Sequence, residues 1–162
     1  MIPRRWIDNA LNPALLLLPQ KMDSPMARAM LICIALQESR LEYRHQCKPG
    51  PAHGYFQFEQ GGGVREVLRQ YASRGSILAV LDALDYTGAS EEDCFAAIQH
   101  NDILATCFAR LLLWTLPQAL PARNAPNVAY SQYIQSWRPG KPHPDAWSGN
   151  WEISWELSDA AV

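Results

Sequence analysis

The most constraining feature of this sequence is an uninterrupted apolar run inside a predicted helix. Ser24 followed by Pro25 is typical of a helix start, because serine caps the first turn and proline fits its first position. The helix is predicted to continue to about Ser39, and its residues 29–36 are all apolar. A helix that is apolar all round has to be surrounded by other elements. The sequence therefore predicts a buried central helix.

The remaining patterns predict that this helix is surrounded mostly by other helices. Helical patterns cover residues 64–73, 76–86, 90–99, 101–116 and 127–137. Residues 40–63 contain glycine and proline and are too irregular for a helix, although GYFQFE within them fits a short strand or an extended loop. We expect a mainly α fold with a buried central helix and a short irregular or β insertion after it.

Length and composition fit one globular domain over residues 1–162. Within it, residues 1–23 are a lead-in to the central helix, and residues 138–162 form a tryptophan-rich C-terminal segment. The tryptophans of that segment either close the core or form a sugar-stacking wall. A net charge of −2 gives no basic surface for nucleic acid.

No apolar stretch is long enough to suggest a membrane span or a signal peptide. The longest run near the N-terminus, residues 14–18, is too short for the apolar part of a signal peptide, and it ends in Pro19. No stretch approaches the ~18 apolar residues of a membrane span, so no stable membrane insertion is expected. We expect synthesis in the bacterial cytoplasm without a signal peptide.

Neither a metal nor a cofactor is expected. Cys33 and Cys107 lie among apolar helix residues and are predicted to be small core side chains. His45, Cys47 and His53 are close in sequence, but their spacing fits no zinc pattern. The triple glycine at residues 61–63 could cradle a phosphate, yet no Lys-Ser/Thr pair follows it.

Glu38, at the end of the apolar helix, is the first candidate for chemistry. A carboxyl group in that position is partly desolvated, which raises its pKa and allows it to act as a general acid near neutral pH. The alternative is that Glu38 faces solvent where the helix leaves the core. The later Gly54-Tyr55-Phe56-Gln57 offers close backbone approach, aromatic surface and an amide, which together suit a sugar.

These residues resemble a known enzyme family. Glu38-Ser39 followed by Gly54-Tyr55-Phe56-Gln57 resembles the Glu-Ser … Gly-Leu-Met-Gln pattern of soluble lytic transglycosylases and goose-type lysozymes. The resemblance implies a lysozyme-like fold with Glu38 as catalytic acid/base. It also implies that Ser39, Gly54, Tyr55, Phe56 and Gln57 bind the glycan. Tyr-Phe replaces Leu-Met of the family pattern.

A second, looser resemblance lies near the C-terminus. Residues 129–133, AYSQY, occupy the place of the family's Ala-Tyr-Asn-x-Gly motif, whose tyrosine lies near the catalytic glutamate. The assignment falls on Tyr130 or Tyr133, and Tyr130 fits better. The asparagine and glycine of the motif are absent. Trp137, farther along, is a candidate for sugar stacking.

The resemblance implies a peptidoglycan-degrading enzyme that cleaves the β-1,4 bond between N-acetylmuramic acid and N-acetylglucosamine. A lytic transglycosylase needs Glu38 alone, because the muramic acid sugar supplies its own hydroxyl, and this reaction is favoured. A hydrolase usually needs a second carboxylate, for which Glu59 is the candidate. Glu59 could instead start the glycine turn or cap the next helix. His53 is a weaker candidate for a second acid/base and is more typical of a surface residue.

The small size and the expected lack of a signal peptide resemble a bacteriophage endolysin or virion-associated lysin. Such a protein acts on the cell wall after lysis or as part of a virion, with glycan strands and other virion proteins as partners. The rivals are a chitinase-like hydrolase and a non-catalytic phage structural or wall-binding protein with a lysozyme-like fold. An enzyme should hold Glu38 at the floor of an open groove with an apolar wall. In a structural protein, Glu38 would pair with Arg40 or Arg44, and the groove would be filled.

Overall fold

The computed structural model describes residues 3–45 and 50–160, and these residues are mainly helical. The α-helices are α1 (Pro3–Trp6), α2 (Asn12–Leu17), α3 (Pro25–Ser39), α4 (Arg65–Arg69), α5 (Tyr71–Ala83), α6 (Glu91–Ile98), α7 (Asp102–Trp114), α8 (Pro126–Trp137) and α9 (Pro144–Asp159). Ile7–Leu11 and Gln60–Val64 are π-helical turns, and Gln20–Met22 is a 3-10 turn. The described residues form no strand; isolated bridges join His53 to His45 and to Phe58. The expected mainly α class is confirmed.

Helix α3 is the buried central helix that the apolar run predicts. The Ser24 hydroxyl accepts a hydrogen bond from the amide of Ala27 at 3.1 Å, and Pro25 occupies the first turn. Residues 29–35 are completely buried. The helix ends at Ser39 because Arg40 adopts the left-handed conformation, with φ at 54°. Glu38 is therefore placed in the last turn, where the buried helix meets the surface.

Both terminal segments contribute to the core around α3. The residues predicted as a lead-in form α1, a π-helical turn and α2, which place Trp6 and Leu11 in the core with no exposed surface. At the other end, α9 packs along α3 and buries Trp147, Trp151 and Trp155. Tryptophans four residues apart lie on one helical face. These three therefore close the core.

The structure divides the chain between α4 and α5 differently from the helices predicted over residues 64–73 and 76–86. The helix predicted over residues 64–73 is interrupted at Gln70, which is extended with ψ at 135°, and α5 then begins at Tyr71 and runs through residue 76. The break is stabilised by the Ser73 hydroxyl, which donates to the carbonyl of Val67 at 2.7 Å. Helix α6 has the predicted capping box, because Ser90 and Asp93 each accept a hydrogen bond from the other's amide.

Loops bring α8 and α9 to the end of α3. Residues 138–143 leave helical structure after Trp137, as the prolines and glycine predict, and Pro144 then begins α9.

No helix within residues 3–45 and 50–160 is both long and apolar enough to cross a membrane.

Candidate functional site

A groove of about 640 Å³ lies at the C-terminal end of α3. Glu38 from α3 and Tyr133 from α8, which are hydrogen-bonded to each other, are termed its floor, and Trp137 from α8 also lines it. Two further segments that line it, within residues 57–63 and 138–143, are termed its rims. The groove therefore brings together three separate parts of the chain around one carboxyl group.

Glu38 is half-buried and hydrogen-bonded. The Tyr133 hydroxyl donates to its Oε1 at 2.5 Å. Burial raises the pKa of Glu38 from 4.5 to about 7, and the hydrogen bond from Tyr133 opposes part of that rise. A carboxyl group with this pKa exists in both protonation states near neutral pH. It can therefore donate a proton and later accept one.

No cation in the described part of the chain pairs with Glu38. Arg44 instead forms two hydrogen bonds with Asp102, at 3.0 and 2.8 Å, and its guanidinium lies over the ring of Tyr55 at 4.6 Å. Arg40 is exposed at the end of α3. The ion pair expected of a purely structural glutamate is not formed among these residues, and the groove is not filled.

Ser39 connects α3 to the turn at residues 54–57 from behind the groove. Its buried hydroxyl lies 2.7 Å from the carbonyl oxygen of Tyr55 and 3.1 Å from that of Ala35, so it can donate to one of them at a time. It also accepts from the amide of Leu41 at 3.2 Å. Ser39 thus fixes the position of the turn and does not line the groove.

Of the four predicted turn residues, Gln57 reaches the groove and the other three lie behind its wall. Tyr55 and Phe56 are buried, because two large aromatic side chains gain more from the core than from an exposed wall. Gly54 has φ at 77°, and a Cβ there would lie 3.0 Å from the side chain of Ile98. The Gln57 side-chain amide donates to the Gly54 carbonyl at 2.8 Å, which orients Gln57 at the groove.

Tyr133, and not Tyr130, contacts Glu38. The Tyr130 ring packs against the rings of Tyr133 and Trp147, at centroid distances of 6.0 and 5.4 Å. Alignment with the loosely matched motif favours Tyr130, whereas the structure brings Tyr133 to Glu38. Helical spacing identifies Tyr133 as a groove residue, because Tyr133 and Trp137 are four residues apart and therefore share one face of α8.

Trp137 supplies the apolar wall of the groove. Its indole nitrogen donates to the carbonyl of Phe56 at 2.9 Å, and its ring stacks on Phe58 at 5.7 Å. Gly63 completes this wall, since a Cβ at that position would lie 2.7 Å from the Phe58 ring and 3.1 Å from Leu112. The indole is half-buried and fixed in orientation, which suits stacking against a sugar face.

Glu59 and Glu66 also line the groove. Glu59 precedes the π-helical turn Gln60–Val64, but its side chain makes no capping hydrogen bond, and it is exposed. Glu66 is half-buried and accepts a hydrogen bond from Gln70 at 3.0 Å. His53 does not line the groove: its ring stacks on Phe95 at 3.8 Å, and its Nδ1 lies 3.0 Å from the Phe95 carbonyl oxygen.

The described residues form neither a metal-binding group nor a reactive thiol. Within residues 3–45 and 50–160, no three His, Cys, Asp or Glu side chains form a group that could hold a metal ion, and Cys47 lies outside those ranges. Cys33 and Cys107 are completely buried, as predicted. Burial raises the pKa of both thiols, to about 12 for Cys107, which suppresses the reactive thiolate.

The candidate site is therefore a half-buried carboxyl group with a tyrosine partner, beside a fixed indole and an amide, in an open groove. This combination suits proton transfer to a ligand that offers both apolar faces and hydroxyl groups. No protein-family model, curated protein or solved structure matches this chain.

Proposed function

We propose that this protein cleaves the β-1,4 glycosidic bond between N-acetylmuramic acid and N-acetylglucosamine in peptidoglycan, as a lytic transglycosylase. The observation that carries the proposal is Glu38: burial raises its pKa to about 7 at the floor of a groove. Its resemblance to a family glutamate at the end of a buried helix adds to this. A bacteriophage lysin, delivered to the wall by lysis or within a virion, would have this activity.

The proposed reaction uses Glu38 twice. Its protonated carboxyl group donates a proton to the glycosidic oxygen while the bond from that oxygen to the anomeric carbon breaks. The resulting carboxylate then accepts the proton of a hydroxyl of the same muramic acid sugar, whose oxygen bonds to the anomeric carbon. No water enters, and the product is an anhydro sugar. The hydrogen bond from Tyr133 stabilises the carboxylate between the two steps.

Gln57 and Trp137 are the proposed sugar contacts. Both line the groove with their side chains held by hydrogen bonds to backbone carbonyls, Gln57 to Gly54 and Trp137 to Phe56. Side chains fixed before binding lose little conformational entropy when a ligand arrives. Ser39 and Tyr55 act indirectly in this proposal, because their hydrogen bond fixes the turn that presents Gln57.

Hydrolysis is the second candidate, and the position of Glu59 supports it. A hydrolase commonly pairs its acid with a second carboxylate that activates water or stabilises the sugar cation. Glu59 lines the same groove as Glu38 and makes no hydrogen bond that would occupy it as a helix cap. A chitinase-like enzyme would share this arrangement and would also cut a glycan without lactyl groups.

The test is digestion of purified peptidoglycan, with products identified by mass spectrometry. Wild type is compared with Glu38→Gln and with the matched variant Glu42→Gln, because Glu42 is exposed and lies outside the groove. Products lighter by one water, made by wild type and Glu42→Gln but not by Glu38→Gln, are expected. Ordinary reducing ends would support the hydrolase instead. No digestion by folded wild type on several wall types would contradict both and favour a non-catalytic wall-binding or structural role.

A further inference from the structure

One of the two chain segments that line the groove is cationic. Residues 138–143 connect α8 to α9 in the order Arg-Pro-Gly-Lys-Pro-His. Arg138, Lys141 and His143 all line the groove, and all three residues are exposed. Two permanent positive charges therefore border the cavity whose floor contains Glu38.

Neither of these two cations has an ionic partner, in contrast to five of the arginines elsewhere in the molecule. Arginines at positions 28, 44, 65, 69 and 123 pair with carboxylates. Within residues 3–45 and 50–160, neither Arg138 nor Lys141 lies within 4.0 Å of an acidic side chain. Glu59 and Glu66 line the same groove but form no ion pair with either cation. An anion entering at this rim would meet two cations that are not already neutralised.

The backbone that carries these cations is held in place. Two prolines, at positions 139 and 142, restrict the loop, and Arg138 begins it in the left-handed conformation, with φ at 47°. The Gln37 side-chain amide donates to the carbonyl of His143 at 2.8 Å, and Asn150 donates to Gln37 at 2.8 Å. This chain of hydrogen bonds connects the loop to α3 and α9. Since Gln37 precedes Glu38, the α9 end of the rim is connected to the floor.

The charges of the groove are divided between its two rims. Glu59 lies on the rim formed by residues 57–63, and Arg138 and Lys141 lie on the other. A ligand with an anionic substituent on one side would be attracted to the cationic rim and repelled from Glu59. A neutral glycan would gain nothing from this arrangement. The two unpaired cations therefore favour an anionic strand over a neutral one.

We propose that Arg138 and Lys141 form a subsite for a carboxylate or phosphate carried by the glycan strand, and so select acidic wall glycan over neutral glycan. This inference rests on the proposed function, because it assigns a role to the rim of the same groove. In peptidoglycan, the carboxylate would come from the lactyl group or its attached peptide, and a phosphate would come from a polymer attached to the wall.

The test measures binding without cleavage, using the full chain with Glu38→Gln as the starting protein. Its affinity for insoluble wall is measured by co-sedimentation at low and at physiological ionic strength. The rim variant adds R138Q and K141Q. The control adds R5Q and R74Q, which remove two exposed charges outside the groove that have no carboxylate partner among the described residues. The three proteins are compared on native wall, on wall with carboxylates converted to amides, and on wall freed of phosphate polymers.

The rim variant is expected to bind native wall about threefold to tenfold more weakly than the control, with a smaller salt dependence. If the control loses the same affinity on amidated wall, the ligand is a carboxylate. If the control loses it on phosphate-free wall, the ligand is a phosphate. Equal binding by the rim variant and the control would overturn the subsite.

The subsite and the proposed function fail in different ways. If wild type cleaves wall but the rim variant binds as well as the control, the subsite is wrong and the cleavage proposal stands. If the rim variant binds more weakly but wild type cleaves nothing, the subsite stands and the enzyme proposal is wrong. Absence of binding by all three proteins, together with no cleavage by wild type, would contradict both.

Discussion

The floor and the rims of the groove differ in the burial and in the pairing of their polar side chains. At the floor, Glu38 and Tyr133 are hydrogen-bonded to each other and surrounded by packed side chains. At the rims, Glu59, Arg138 and Lys141 are exposed and have no ionic partner among the described residues. Burial gives the floor carboxyl its raised pKa, while exposure leaves the rim charges available to a ligand. In the proposed enzyme, the floor would transfer the proton and the rim charges would select the ligand.

The sharpest test of the floor is the pH dependence of stability. Because the pKa of Glu38 rises from 4.5 in the unfolded chain to about 7, the fold loses stability as pH rises between those values. Glu38→Gln cannot ionise, so its free energy of unfolding relative to wild type should increase by about 3 kcal/mol from pH 4 to pH 8. Urea unfolding at both pH values measures this. Glu42→Gln, which changes an exposed residue, should show no comparable change. If the difference in unfolding free energy between Glu38→Gln and wild type does not change with pH, the Glu38 carboxyl is well solvated.

The apolar wall between floor and rim should be sensitive to volume. Gly63→Ala would place a Cβ 2.7 Å from the ring of Phe58, which we expect to cost about 1–3 kcal/mol of unfolding free energy. The matched variant is Gly61→Ala, whose Cβ would come no closer than 3.7 Å to the guanidinium of Arg65. Gly61→Ala should change stability by less than about 1 kcal/mol. Thermal or urea unfolding that fails to separate the two variants would contradict this account of the wall.

Tyr133 should influence the pH dependence of activity, whereas Tyr130 should not. The Tyr133 hydrogen bond lowers the pKa of Glu38, so Tyr133→Phe should raise that pKa further. If the acid form of Glu38 is needed first, the alkaline limb of the kcat/KM profile should move to higher pH, with a stability loss of about 1 kcal/mol. Tyr130→Phe removes a hydroxyl that makes no hydrogen bond to Glu38 and serves as the control. An alkaline limb that does not move in Tyr133→Phe would separate Tyr133 from the proton transfer.

The smallest effect is expected at Glu59. In a lytic transglycosylase its carboxylate takes no part in the reaction, so Glu59→Gln should change the cleavage rate less than about threefold and leave the product masses unchanged. A loss of about 100-fold or more would instead assign Glu59 to water activation, because that is the scale of general acid/base contributions. Digestion of peptidoglycan with mass analysis of the products gives both readings. A loss of that size would mean that Glu59, although it lies on a rim, takes part in the reaction as Glu38 does.

Much of the fold could be predicted because its signals are local. Ser24 and Pro25 predicted the start of α3, the apolar run predicted the burial of residues 29–35, and Ser90 with Asp93 predicted the capped start of α6. Each of these signals depends on residues within a few positions of one another. The break at Gln70 was missed because a single extended residue does not disturb the apolar periodicity on either side of it.

The candidate site was predictable only in part. Glu38 stood out because a carboxyl group in the last turn of a buried helix is unusual, and Gln57 and Trp137 also line the groove. Tyr55 and Phe56 were predicted beside the ligand, yet both are buried. Nothing in the turn itself shows which side of it faces the core. That choice was made by the contacts of the turn with α8 and with Ser39.

The sequence by itself determined that this chain is mainly helical, with one helix buried on every side and a carboxyl group at its end. Tertiary structure decided what surrounds that carboxyl group. Tyr133 reaches Glu38 across 95 positions of sequence, and Asn150 reaches Gln37 across 113. Helix periodicity and caps are fixed by neighbours along the chain, but burial, pKa and the division of charge across a groove depend on residues that meet only after folding.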